Sequence, residues 1–268
     1  MKKALKTMGI VLGVVLAIAI VLVLVFPGAY HYYNVKKTCL KINLTSSPYP
    51  YTDVAVPEGW VELTANGITM KVPQDMYLKE TSFDAQIYID GTDDDTHTKT
   101  AFIMDEFEWG EFSLYNENDP ENKYTKEEYI EFFERVGLEY PESYCELYQG
   151  FYDLSMEDFN IHSYKDATAF ATIALMKEIH VSNFATIALM KEIYVSDSFY
   201  EIYETEIDGC TAFIKVYNKN EDSRIKNKCI VEIFAEGSPE ISYSVIIGAN
   251  DEDIFRQMIA SVHLAQED

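Results

Sequence analysis

The strongest pattern in the chain is an uncharged apolar run over residues 7–26, preceded by Lys2, Lys3 and Lys6. About 20 helical residues at roughly 1.5 Å each match a bilayer core of about 30 Å. Pro27 and Gly28 break the run, and Tyr30, Tyr32 and Tyr33 follow where an aromatic belt sits at a membrane surface. The run exceeds the roughly 7–15-residue core of a cleaved signal peptide, and no small-x-small cleavage site follows it cleanly. Residues 1–29 therefore read as a short cytoplasmic stub and a retained anchor, with a cleaved signal as the competing reading. Lysines ahead of the span place the N-terminus in the cytoplasm and the bulk of the chain outside the cell membrane. Only about six residues would remain inside, too few for a catalytic or DNA-binding unit.

Residues 30–58 show little periodicity, and Ser46-Ser47-Pro48, Pro50 and Pro57 predict a stalk. Asn43-Leu44-Thr45 is a glycosylation sequon, relevant only in a eukaryotic secretory route. Alternation sets in from residue 59. Residues 61–63 and 68–72 read as strands around Asn66-Gly67, a pair that suits a tight hairpin. Residues 86–89 and 101–104 form another pair across an acidic loop, and residues 107–115 alternate aromatic with polar. Thr125-Lys126-Glu127-Glu128 is a capping box leading into Tyr129, Phe132, Phe133 and Val136, closed by Gly137. Pro141 suits the first turn of a second helix, with Tyr140, Tyr144, Tyr148 and Tyr152 on one face. That strip reads as a face packed on the sheet, with an aromatic binding strip as the alternative. Residues 199–207 and 211–217 flank a turn at Asp208-Gly209, and residues 229–235 and 241–247 flank Gly237-Ser238-Pro239. Asn250 or Asp251 caps a last amphipathic helix through Ile254, Phe255, Met258, Ile259 and Val262.

Residues 170–183 read FATIALMKEIHVSN, and residues 184–197 read FATIALMKEIYVSD. The copies differ only at His180/Tyr194 and Asn183/Asp197, which marks a local tandem duplication. Solenoids need several units at periods of about 20–50 residues. A 14-residue insertion leaves a continuous helix only about 40° short of whole turns, so one helix absorbs it with little rotation. Val181-Ser182-Asn183 would otherwise break the helix and give a helical hairpin for a partner. The expectation is a tolerated insertion with no dedicated role.

These elements predict an α+β fold: an N-terminal transmembrane helix, then a mostly antiparallel sheet packed with helices. The domain spans 59–268 and carries a helical insert. Strands joined by short turns exclude the parallel sheet of a nucleotide-binding fold. Charge narrows the partners. Asp and Glu total 45 against 21 Lys and Arg, for a formal net charge of -24. Three of those lysines precede residue 7 and no acidic residue precedes Asp53, so -27 falls beyond the anchor. Such a surface cannot neutralise phosphates, which excludes nucleic acid. With 48% hydrophobic and 14% aromatic residues, a disordered acidic tail is excluded too.

Chemistry is sparse. The chain has no GxSxG, HExxH, Walker loop or GxGxxG, and His31, His97, His162, His180 and His263 are scattered. Cys39, Cys145, Cys210 and Cys229 all lie beyond the anchor, where disulfides form. Cys210 with Cys229, flanking a hairpin, is the best candidate pair, and four buried thiols are the alternative. The densest oxygen cluster is Asp90, Asp93, Asp94 and Asp95, a candidate calcium loop. Its spacing is not that of an EF-hand, and a solvated hairpin loop is the plainer reading. No other cofactor is expected.

Gly67-Ile68-Thr69-Met70-Lys71-Val72-Pro73 runs a first strand into a proline. Tyr243-Ser244-Val245-Ile246-Ile247 is a closing strand, followed by a helix ending in Ile259-Ala260-Ser261-Val262-His263-Leu264. Together these stretches resemble the PsbP/Mog1-type α+β sandwich of small membrane-anchored bacterial proteins. The resemblance covers the two ends of the domain, leaves 105–197 unmatched and supplies no site residues. It implies a non-catalytic binding or accessory role. The expectation is thus a single-pass, extracytoplasmic binding module for an envelope protein or small ligand. The alternative is an extracytoplasmic hydrolase using carboxylates or a loop-bound metal ion.

Overall fold

The structure is a computed structural model that describes residues 2–38, 50, 54–79, 86–90, 97–104, 106–108, 114, 123–183, 200–217, 225–235 and 237–265. Helix α1 spans Lys2–Val25 and α2 spans Ala29–Thr38. Strands β1 (Val61–Ala65), β2 (Ile68–Val72), β3 (Met76–Lys79), β4 (Gln86–Asp90), β5 (Lys99–Ile103) and β6 (Phe107–Glu108) follow. Helices α3 (Lys126–Arg135), α4 (Tyr144–Asp153) and α5 (Tyr164–Asn183) come next. Strands β7 (Tyr200–Ile207), β8 (Cys210–Tyr217), β9 (Asn227–Ala235) and β10 (Ser238–Ala249) precede α6 (Glu252–Ala260) and β11 (His263–Leu264).

The large sheet runs β3-β4-β5-β10-β9-β8-β7, with β6 beside β5 on the same edge of β10. A second sheet runs β1-β2-β11. Every pairing in both is antiparallel. The α+β class and the antiparallel sheet are as the alternation predicts. Turn chemistry sets the hairpins: Asn66 and Gly67 have φ 48 and 76, and Asp208 and Gly209 have φ 51 and 83. Two successive positive φ angles match the twist of the flanking strands.

Side chains alternate across the large sheet and feed two cores. One face carries Ile87, Ile89, Phe102, Ile202, Phe213, Ile230, Phe234 and Ile246 against α2 to α5. The other carries Ala101, Ile103, Ala212, Ile214, Val231, Ile233, Val245 and Ile247 against the small sheet and α6. The molecule is therefore three layers: helices, large sheet, then small sheet with α6.

Several details depart from the sequence expectation. The stalk over 30–58 does not begin as irregular chain, because residues 29–38 form α2, and Val35 is buried in the helix-side core. Helix α4 starts at Tyr144 rather than Pro141, because the Ser143 hydroxyl accepts from the Glu146 N–H. The Cys210–Cys229 pairing fails on register. Cys229 sits opposite Val216, six residues from Cys210, or about 20 Å of strand, whereas a disulfide needs Cα atoms within about 7 Å. Cys145, Cys210 and Cys229 are free thiols, and Cys39 lies outside the described residues. The first copy of the duplication is the C-terminal part of α5, whereas the second copy, 184–197, lies outside the described residues.

Candidate functional site

The junction of α1 with the domain is the most elaborated local feature. The Gly28 N–H donates to the Ile161 carbonyl at 2.9 Å. His162 Nδ1 lies 2.9 Å from the carbonyl of Val25, the last residue of α1, and its ring is 5.2 Å from that of Phe26. A carbonyl exposed at a helix C-terminus needs such a donor. Glycine is required at 28 by proximity: a Cβ there would lie 2.6 Å from Ala167 Cβ and 2.9 Å from the Ile161 oxygen. Along α2, Thr168 Oγ1 donates to the Tyr164 carbonyl at 2.7 Å and lies 3.2 Å from His31 Nε2. The His31 ring meets Tyr164 at 5.1 Å, and Tyr32 meets Phe159 at 5.3 Å. Partial burial lowers the His31 pKa. The pattern reading singled out the tyrosines here but not the histidines, because their partners lie about 130 residues along the chain.

Among the residues whose side chains are described, no single helix is long and apolar enough to cross a membrane. Residues Val14–Val25 and Ala29–Lys37 pass that test only together, as a pair bent by 79°.

Of the candidate calcium ligands, Asp90 lies at the end of β4 and is buried. Its Oδ1 accepts from the N–H groups of Thr98 (2.7 Å) and Lys99 (2.6 Å), and its Oδ2 accepts from the Thr98 hydroxyl at 2.6 Å. Lys99 Nζ lies 3.2 Å from the same Oδ2 and 2.7 Å from Asp75. Burial pushes the Asp90 pKa up, but these hydrogen bonds outweigh it and hold the carboxyl below its ordinary value. Asp90 thus clasps the base of the β4–β5 hairpin. Asp93, Asp94 and Asp95 lie outside the described residues. Among the described residues no group of three His, Cys, Asp or Glu is placed to hold a metal ion.

A third feature was not foreseen. Lys215 on β8 and Glu232 on β9 form a fully buried ion pair on the helix-facing side of the large sheet, Nζ to Oε2 at 2.6 Å. Ser242 donates to Glu232 Oε1 at 3.3 Å, and the Lys215 ammonium lies 4.0 Å from the centre of the Tyr148 ring. Tyr148 in turn packs on Phe213 (5.5 Å) and Phe234 (6.0 Å). The tyrosine strip of α4 is therefore anchored in the core at Tyr148. Burial first, and the Glu232 charge second, push the Tyr148 hydroxyl well above its usual pKa. Nearby, burial pushes the Cys145 thiol up to about 11, so it stays protonated near neutrality and is no nucleophile. A usable signal existed: Lys215 and Glu232 are lone charges inside near-continuous apolar runs (212–217 and 229–235), where only a mutual partner makes burial tolerable.

No family model matches the chain, and no curated protein matches it significantly. Among solved structures, the chain is similar to a protein from Bacteroides thetaiotaomicron at 8% identity with a TM-score of 0.26. That alignment covers 77% of this chain and 48% of the other, so the chain spans about half the length of that protein.

Proposed function

We propose that the chain is a single-pass membrane protein whose α+β domain is an extracytoplasmic binding or accessory module. The observation that carries this reading is the exposure of α1. The ten large apolar side chains from Val14 to Val25 are 46% to 75% exposed, little covered by the described residues of the domain. A continuous apolar surface of this kind is rarely left in water. The helix satisfies its own backbone hydrogen bonds, which is what a hydrocarbon medium demands. The uncharged part of α1, residues 7–25, is about 28 Å long, close to a bilayer core of about 30 Å. Lys2, Lys3 and Lys6 favour a cytoplasmic N-terminus. One feature weighs against a metal held at Asp90: both of its oxygens are taken up by the hairpin.

Membranes from cells expressing the full chain test the anchor. Alkaline carbonate should leave the intact protein in the membrane pellet, and protease added to spheroplasts should digest the domain. Release of intact protein by carbonate would overturn the anchor. Protection of the domain in spheroplasts would overturn its placement outside.

A further inference from the structure

We infer that α2 is an interfacial helix that seats the domain on the phospholipid headgroup layer. This inference rests on α1 being in the bilayer. Helix α2 begins after a break of three residues, 26–28, and is turned from α1 by 79°. With α1 near the membrane normal, α2 lies nearly in the membrane plane, within on the order of 10 Å of where α1 leaves it. One side of α2 is already occupied: His31 reaches Thr168, Tyr32 meets Phe159 and Val35 is buried. The other side presents Tyr30 (70% exposed), Tyr33 (63%) and the exposed Lys37, while exposed Lys36 lies on the flank with its ammonium 5.8 Å from the centre of the Tyr32 ring. Tyr30, Tyr33 and Lys37 follow the spacing of one helix face. Tyrosine suits the headgroup level because its ring is apolar and its hydroxyl is polar. Lysine suits it because the ammonium pairs with lipid phosphate while its stem stays apolar. Charge favours the same seat. Residues 30–52 contain Lys36, Lys37 and Lys41 and no acidic residue, in a chain whose net charge is -24.

The test uses the full chain with Tyr33→Trp, reconstituted in phosphatidylcholine vesicles. Comparison with the unsubstituted chain separates the added emission from that of Trp60 and Trp109. Lipid brominated near the headgroup end of its chains should remove about half of the added emission, and aqueous iodide should remove little. In the same vesicles Lys36→Glu with Lys37→Glu should weaken the lipid quenching, and unchanged quenching would overturn the phosphate contact. Strong iodide quenching without lipid quenching, in a chain that still resists carbonate, overturns the seat and leaves the anchor standing. A chain that carbonate releases takes both down.

Discussion

Two residue-scale arrangements in this chain stabilise charges in very different settings. Lys215 and Glu232 are wholly buried, so each depends on the other. Removing one partner of a buried pair leaves an uncompensated charge and costs about 3–5 kcal/mol. We expect Lys215→Met to lower the thermal midpoint of the solubilised full chain by about 10 °C or more. Replacing both, as Lys215→Met with Glu232→Leu, should recover most of that loss. An additive double variant would show that the pair is not coupled. Asp90 is shallower and pH-sensitive. Its folded pKa lies below the unfolded value, so its stabilisation is complete above about pH 4. That contribution is lost as pH falls through the folded value. Asp90→Asn should therefore cost about 1–2 kcal/mol at pH 7 and progressively less as pH falls below about 4. Equal midpoints at pH 7 would remove the clasp. Neither arrangement could be read from the sequence in full. Asp90 stands out there as part of an acidic cluster, and only the cross-strand register shows that Thr98 and Lys99 face it. For Lys215 and Glu232, composition counts the charges but cannot say that they meet.

Elements whose limits are set by neighbouring residues were the most legible. The capping box at Thr125 is present as read: its hydroxyl accepts from the Glu128 N–H, and the Glu128 carboxylate returns to the Thr125 N–H at 2.8 Å. Thr125→Ala should cost about 1 kcal/mol, seen as a small drop in midpoint with unchanged cooperativity. Asn66-Gly67, Asp208-Gly209 and the Asp251 cap are local in the same sense, and each is where the pattern put it. Elements defined by distant partners were not legible. Strand β11 is two residues long and exists only because β2 pairs with it, whereas β6 lies at the start of the alternation over 107–115, of which 109–113 and 115 lie outside the described residues. Helix α2 looked like the start of a linker, because its helical state rests on docking to α5 rather than on its own periodicity. The duplication shows the same division. Phe170, Ile173, Ala174 and Lys177, all in the first copy, are buried in α5. Lys177 Nζ also donates to the Phe151 carbonyl. Deletion of residues 184–197 should shift the midpoint by less than about 5 °C, roughly 2 kcal/mol for a chain of this size. A larger drop would give the second copy a structural role.

At the scale of the whole molecule, the three layers are held to α1 by the contacts around Gly28. A Gly28→Val side chain cannot fit against Ala167 and the Ile161 carbonyl. The expected outcome is a domain that stays folded while its junction opens, read as faster amide exchange over residues 161–164 without loss of protection in β8 to β10. Unchanged exchange at the junction would show that the close approach is not what holds it. This docking also sets how such a protein can meet a partner. A domain on a long tether sweeps a hemisphere and reaches far from its membrane. A domain bolted three residues from its anchor works at a fixed height. On the proposed reading, with α1 in lipid, the domain would travel only sideways, and any partner would be found by a two-dimensional search among molecules standing equally close to the bilayer. Affinity that would be too weak in free solution suffices there, because confinement raises the local concentration.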